Sequence, residues 1–309
     1  MSVDGRIVVV GSVNMDLVVR VPRIPVPGET ILGDSLVEYP GGKGANQAVA
    51  AARLNGAPSM VGCVGRDAYA KDLRGALTAS GVETTFLLER GPRSGIAVIE
   101  VASSGENNIV VVQGANALLV GDDVDDALTA LTNARIVLLQ LEVPLATVEY
   151  GALTAHAKGL LVLLDPAPAQ MLSDSLLSAV DYLTPNQQEA ALLTGMSEVG
   201  PDEAPEAARR LLARGVKTAI VKLGADGVYA ANTRESFRLP GHRVDTVDTT
   251  AAGDCLSGAL AAALVEGRPL RSAVAFANAA AALSTTRRGA QPSMPTTAEV
   301  EELLLHSEA

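Results

Sequence analysis

A single carboxylate, Asp254, stands in the run TVDTTAAGDCLSGALAAAL (Thr246 to Leu264), with small residues before it and an unbroken apolar stretch after it. The pattern predicts a Gly/Ala-rich turn opening into a helix. A helix N-terminus presents unpaired N–H groups and so attracts anions. Ala251, Ala252 and Gly253 are small enough for a phosphate to approach that backbone closely. The same N–H groups would stabilise a phosphoryl group in transfer, and Asp254 could take a proton from a hydroxyl nucleophile. An N-capping acid is the plainer reading, but it leaves the preceding Ala-Ala-Gly unexplained.

Other polar residues recur beside predicted strand ends. Asn14 and Asp16 follow the first strand in GSVNMDLV, either as ligand-facing groups or as an Asx turn. Gly41, Gly42, Lys43, Gly44 and Asn46 precede a helix in PGGKGANQAVAAA. This is not a Walker loop, because Gly44 stands where Ser or Thr must follow the lysine. It reads as a Gly-rich turn open to a small polar ligand, or as helix packing. TPNQQEA sets Asn186 and Glu189 three residues apart at a helix start, the spacing of an ordinary cap with a dipole-favoured acid. VKLGADGVYA is a hairpin signal.

The elements that must hold these groups alternate. RIVVVG and PSMVGCVG read as buried strands. GANQAVAAARLNG reads as a helix with a terminal Gly stop, and AYAKDLRGALTASG as a helix with a Gly C-cap. Strand and helix continue to alternate from ARIVLLQLE to KTAIVKLGADG. That order predicts a doubly wound α/β domain, a mostly parallel sheet with helices on both faces and sites at the carboxyl ends of its strands. Two segments, 16–39 and 95–113, are strand-rich with little helix. They predict a small extra sheet that must pack on the main domain, a ligand or another subunit.

The 309 residues carry a formal charge of −11, only 3% aromatics and no Trp. Neither a phosphate-backbone binder nor a stacking platform for single strands fits that composition. An acidic enzyme still binds an anionic nucleotide through local N–H groups and metal ions. Cys63 and Cys255 are the only cysteines, which suits a reducing compartment. There is no signal-peptide layout and no stretch of membrane-spanning length, so the expectation is a cytoplasmic protein with no nucleic-acid or membrane partner.

GSVNMD, PGGKGANQAVAAARLNGA, TPNQQEA, VKLGADG and VDTTAAGDCLSGAL, in this order and over nearly the whole chain, closely resemble the ribokinase-like (PfkB) family of carbohydrate kinases. The resemblance implies one domain over residues 1–309, with the segments 16–39 and 95–113 forming a β-sheet lid. It implies ATP-dependent phosphorylation of D-ribose at O5, with Mg²⁺ on the nucleotide and two subunits joined through their lids. Residue by residue, it implies sugar binding by Asn14, Asp16, Gly42, Lys43, Asn46 and Glu142, the last in LQLEVP. Asp254 matches the catalytic base, and Ala251, Ala252 and Gly253 match the turn of the anion hole. Asn186, Lys222, Gly224, Gly227 and Asn278 match nucleotide positions, and Glu189 matches an acid that organises metal and phosphates. Asp248, Thr250, Ser284, Arg287, Gly289 and Ser293 match a monovalent-cation site, which implies activation by K⁺.

The chain departs from the family after Asp254, where Cys255, Leu256 and Ser257 replace a common Thr, Phe and polar residue. Cys255 at a helix N-terminus is either an acidified thiol or a small buried hydrophobe. The substrate alternatives are another pentose such as deoxyribose, a ketohexose or a nucleoside. Asp16 and the Gly-Gly-Lys-Gly-Ala-Asn turn favour a ribofuranose polyol. A non-catalytic sugar-binding relative is disfavoured by the intact Gly253-Asp254 turn. A dinucleotide oxidoreductase is disfavoured because no G-x-G-x-x-G follows the first strand.

Overall fold

The structure, a computed structural model, describes residues 5–307; residues 1–4 and 308–309 of the expected domain lie outside it. The strands are β1 (Arg6–Val10), β2 (Asn14–Val21), β3 (Ser35–Gly41), β4 (Pro58–Val64), β5 (Leu87–Glu89), β6 (Gly95–Ala102), β7 (Asn107–Val112), β8 (Ala134–Leu139), β9 (Leu161–Leu164), β10 (Tyr182–Leu183), β11 (Thr218–Lys222), β12 (Val228–Asn232) and β13 (Ser236–Leu239). The helices are α1 (Lys43–Arg53), α2 (Ala68–Ala79), α3 (Gly121–Ala130), α4 (Leu145–Ala157), α5 (Asp174–Ser178), α6 (Gln187–Thr194), α7 (Ala204–Ala213), α8 (Ala252–Val265), α9 (Leu270–Ser284) and α10 (Thr297–Ser307).

Nine strands form one sheet in the order β13-β12-β11-β10-β9-β8-β1-β4-β5. From β11 to β5 every pairing is parallel, and β12 and β13 add an antiparallel edge. The two-residue period of β1 explains the layering. Ile7 and Val9 enter a core shared with α1, α2, α8 and α9, while Val8 and Val10 enter one shared with α3, α4, α5 and α7. All four side chains are fully buried, each stabilising by about 1.5–3 kcal/mol. A strand buried on both faces must be apolar throughout, which is why RIVVV reads as a continuous run. The chain winds outward from β1 in both directions, so the crevice beside β1 and β8 is the topological switch point where such folds bind ligands.

The second sheet has the order β3-β2-β6-β7. Asn14 and Asp16 belong to β2 and pair with Gly41 and Tyr39 of β3, so they are not the Asx turn weighed as an alternative. Two residues apart on one strand, they share a face. The end of α1 also differs from expectation. Asn55, with φ of 62°, takes the left-handed position ahead of Gly56, which Asn does more readily than other side-chain-bearing residues. No described helix is long and apolar enough to cross a membrane.

Candidate active site

The carboxyl ends of the parallel strands deliver the polar groups. Just past β8 come Gln140 and Glu142, just past β9 comes Asp165, and β11 ends in Lys222. Past β1, Ser12 Oγ donates to Glu142 Oε2 at 2.6 Å, and the Lys43 N–H donates to the same oxygen at 3.2 Å. Gly42 makes this turn possible. Its φ is 90°, and a Cβ there would fall 2.8 Å from the Asn14 nitrogen. The turn starts α1, whose period of 3.6 places Lys43, Asn46 and Gln47 on one face.

That face meets the N-terminus of α8. Asp254 is 6% exposed; its Oδ2 accepts from Asn46 Nδ2 at 3.1 Å and its Oδ1 from Gln47 Nε2 at 3.0 Å. The helical ladder of α8 begins with the Cys255 N–H donating to the Ala251 carbonyl at 2.8 Å, leaving the Gly253 and Asp254 N–H groups at the open helix end. Ala251 adopts φ of 60° to make the turn, a strained conformation for a residue with a Cβ. Lys222 Nζ lies beside this end, 3.3 Å from where a Cβ on Gly253 would sit. Asn46 Oδ1 is buried without a hydrogen-bond partner, an acceptor that a ligand hydroxyl would satisfy.

A cleft of about 1090 Å³ runs from Lys43, Asp165 and Asp254 past Lys222, Gly224 and Gly227 to Asn278. Asn186 and Glu189 line it and also form a reciprocal cap. The Glu189 N–H donates to Asn186 Oδ1 at 2.8 Å, and the Asn186 N–H donates to Glu189 Oε2 at 2.7 Å. Asn278 Nδ2 donates to the Pro240 carbonyl at 2.8 Å and so anchors the loop that walls the cleft. A second hollow, about 860 Å³ over α2 and lined by Arg66, Lys71 and Arg74, lies away from these groups.

Of the expected cation ligands, three come together. Asp248 Oδ1 accepts from the N–H and hydroxyl of Thr250 at 2.9 and 2.6 Å, and Oδ2 accepts from the Gly289 N–H at 2.9 Å. The hydroxyls of Ser284 and Ser293 donate to nearby carbonyls at 2.8 and 2.7 Å. The Arg287 guanidinium turns to Glu299. Among the described residues, no cluster of three or more His, Cys, Asp or Glu side chains is placed to hold a metal ion. Among the six, Asp248 supplies the one carboxylate, and its oxygens are held by N–H and hydroxyl donors.

Burial governs the acidities. It raises the Asp16 carboxyl to about 7, helped by the charges of Glu142 and Asp254 and opposed by Lys43. It raises Asp254 as well; Asp165 adds to the rise, while Lys43 and the amides of Asn46 and Gln47 work against it. Burial alone would lower Lys43, but Asp254, Glu142, Asp165 and Glu189 outweigh it and hold the ammonium above its usual value. Glu189 is raised by burial, with Lys222 opposing. The Cys255 thiol is fully buried and pushed up to about 12, so it is the inert hydrophobe of the two alternatives and not an acidified thiol.

One consequence is measurable without ligand. Asp16 holds a proton in the folded chain that the unfolded chain releases near 3.8. Its folded pKa is raised, so stability is greatest below 3.8 and falls as pH rises through the window up to about 7. Asp16→Asn is expected to melt close to wild type at pH 4 and to be more stable at pH 8 by about 1–3 kcal/mol, less than the full shift because the side chain is partly open to solvent. Equal stability of the two proteins at pH 8 would contradict the burial of this charge.

Residue spacing had not singled out Ser12, Gln47, Asn116, Gln140 or Asp165. Asn116 donates to Asn14 Oδ1 at 2.7 Å and accepts from the Val13 N–H at 2.9 Å, fixing the start of β2. Asp165 holds Lys222 at 2.8 Å.

The model of the pfkB family carbohydrate kinases matches residues 4–297. The ribokinase of Haemophilus influenzae is 42% identical over 300 residues, covering 97% of this chain and 98% of that protein. The deoxyribokinase of Salmonella typhi is 36% identical over 301 residues, covering 96% and 98%. The solved structure of the Arabidopsis thaliana ribokinase complexed with ribose and ATP superposes with a TM-score of 0.88 at 35% identity, covering 97% of this chain and 98% of that one. With its two-sheet fold and its crevice of carboxylates at the mouth of α8, the chain belongs to the pfkB family of carbohydrate kinases.

Proposed function

We propose that the protein is a ribokinase, transferring the γ-phosphoryl group of ATP to O5 of D-ribose to give D-ribose 5-phosphate and ADP. The observation that carries this reading is the Asp254 carboxylate, buried at the open N-terminus of α8 and reached by Asn46, Gln47 and the Lys222 side. The ribokinases among its relatives support the choice of sugar. In the transfer, the sugar hydroxyl loses its proton to Asp254 as its oxygen forms the new P–O bond, and the bond to the β-phosphate oxygen breaks, releasing ADP. At the turn Ala251–Gly253, the open N–H groups of Gly253 and Asp254 stabilise the equatorial charge. Asn14, Asp16, Gly42, Lys43, Asn46 and Glu142 bind the sugar. Asn186, Lys222, Gly224, Gly227 and Asn278 flank the nucleotide, and Glu189 faces its phosphates and their Mg²⁺. Bound Mg²⁺ would neutralise phosphate charge.

The deoxyribokinase relative favours one second reading, phosphorylation of deoxyribose. Measuring kcat/KM with ATP for ribose, deoxyribose, fructose and nucleosides decides. A preference for ribose is expected, and a preference for any other member of the panel replaces the assignment.

We propose also that the second sheet is a lid over the site that pairs with the lid of a second subunit. Val37, Ile109 and Val111 share the Asp16 face of the second sheet yet are 39%, 52% and 42% exposed. A second subunit's lid covering this apolar face makes a homodimer, and a sedimentation profile of monomer alone at micromolar protein contradicts it.

The cation site adds a sharper test. Asp248 and Thr250 lead straight into Ala251–Gly253, and a K⁺ held by side-chain oxygens of Asp248 and Ser293 and by backbone carbonyls of Thr250, Ser284, Arg287 and Gly289 would supply positive charge beside the anion hole. At fixed ionic strength, K⁺ is expected to raise kcat or lower the sugar KM where Na⁺ does so poorly, and Asp248→Ala is expected to remove most of the response. Constant ionic strength separates this from general screening. Equal rates in K⁺, Na⁺ and a bulky organic cation would remove K⁺ from the account and leave the kinase assignment standing.

A further inference from the structure

Five polar side chains form one hydrogen-bond chain beneath the site. Gln140 Nε2 donates to Gln47 Oε1 at 2.6 Å. Gln47 Nε2 donates to both Asp254 Oδ1, at 3.0 Å, and Asp165 Oδ2, at 2.9 Å. Asp165 Oδ1 accepts from Lys222 Nζ at 2.8 Å. Gln47 and Gln140 are fully buried and Asp165 is 1% exposed.

A primary amide has two N–H donors and one carbonyl. Gln47 therefore spends one donor on each carboxylate. Turned over, it would point its carbonyl oxygen at two acids in a low-dielectric interior, where an unpaired or opposed group is costly. The Gln140 donor, bonded to that carbonyl, selects the orientation that serves both acids. Asn46 occupies the other oxygen of Asp254, and each oxygen keeps a lone pair for a hydroxyl proton.

We infer that Gln47 is a positioning residue of the transfer step: its amide holds the Asp254 carboxylate ready to accept a proton and ties it to the Asp165–Lys222 pair on the nucleotide side. The inference rests on Asp254 being the base. The sugar-side base and the Lys222 ammonium beside Gly253 are thereby fixed as one unit, so neither shifts independently of the other. Gln140 sets the amide's direction without touching either acid.

The test is the pH dependence of kcat/KM for ribose in folded Gln47→Met, with Gln47→Glu as a variant of the same shape. An N–H donor to a carboxylate favours its ionised form. Losing it raises the pKa of Asp254, so the acid limb of the profile is expected to move up by about one to two pH units. A residue that only filled space would lower kcat by the same factor at every pH. On an Asp254→Asn background, Gln47→Met is expected to lower kcat/KM at pH 8 less than threefold further. Should a Gln47 variant fail to fold, the same profile is read on Gln140→Met, where the limb must move in the same direction. An unmoved acid limb in the folded variant overturns the inference. Undiminished turnover in Asp254→Asn alone overturns the assignment of the base instead, so the two failures are distinguishable.

Discussion

Asp254→Asn is expected to lower kcat by about 10²–10⁴-fold, the range of a positioned general base, with ATP affinity close to wild type. The substitution keeps the side-chain shape and removes the charge and the proton acceptor. Asn46 and Gln47 both donate to the carboxylate. One of them must therefore meet the new Nδ2 of the Asn, and some of the loss will come from that misfit. The separation from binding follows from position: the cleft wall from Lys222 to Asn278 is untouched. Steady-state turnover together with calorimetric titration of a non-hydrolysable ATP analogue reads both quantities. Turnover near wild type would mean that Asp254 is an interior acid of α8 and nothing more.

The second large effect is expected on sugar affinity. Asn14→Ala and Asp16→Ala each remove a polar partner from one face of β2, and hydroxyl groups left unpaired cost roughly 1–3 kcal/mol apiece. Ribose is expected to bind about 5–150-fold more weakly in each variant, with ATP binding little changed. Asn14→Ala also strands Asn116, which donates to Asn14 Oδ1 at 2.7 Å, so a lower melting temperature is expected there and not in Asp16→Ala. Asp16 is under the opposite constraint, since burial beside Glu142 and Asp254 works against its charge. Unchanged calorimetric ribose affinity in both variants would leave the two residues as strand formers.

The sheet was legible because a strand buried on both faces has to be apolar along its length, as in RIVVV and LVLL. The turn before α8 was legible because small residues beside one acid are hard to explain by packing alone. The second sheet was visible as strand-rich interruptions, but the role of Asn14 and Asp16 as strand residues was not, since an Asx turn fits the same letters. The amide chain was invisible for a different reason. Gln47 meets Asp165 and Asp254 across 118 and 207 residues and Gln140 across 93, and no local period encodes such contacts. Lone Gln residues carry no signal until the fold assembles them, although the spacing of Lys43, Asn46 and Gln47 on one turn of α1 was there to be read. The environment of Cys255 was equally hidden, because burial in α8 and not its place near the helix start decides its acidity.

The most direct measurement is ³¹P NMR of the protein incubated with D-ribose, ATP, MgCl₂ and KCl, with the products assigned by proton coupling. The account predicts ADP and a sugar phosphate in equal amounts, with the phosphorus coupled to the protons on C5 of ribose, and no ATP consumption when ribose is omitted. Phosphate appearing on another carbon, or ATP hydrolysed to ADP and inorganic phosphate at the same rate with and without ribose, would contradict it.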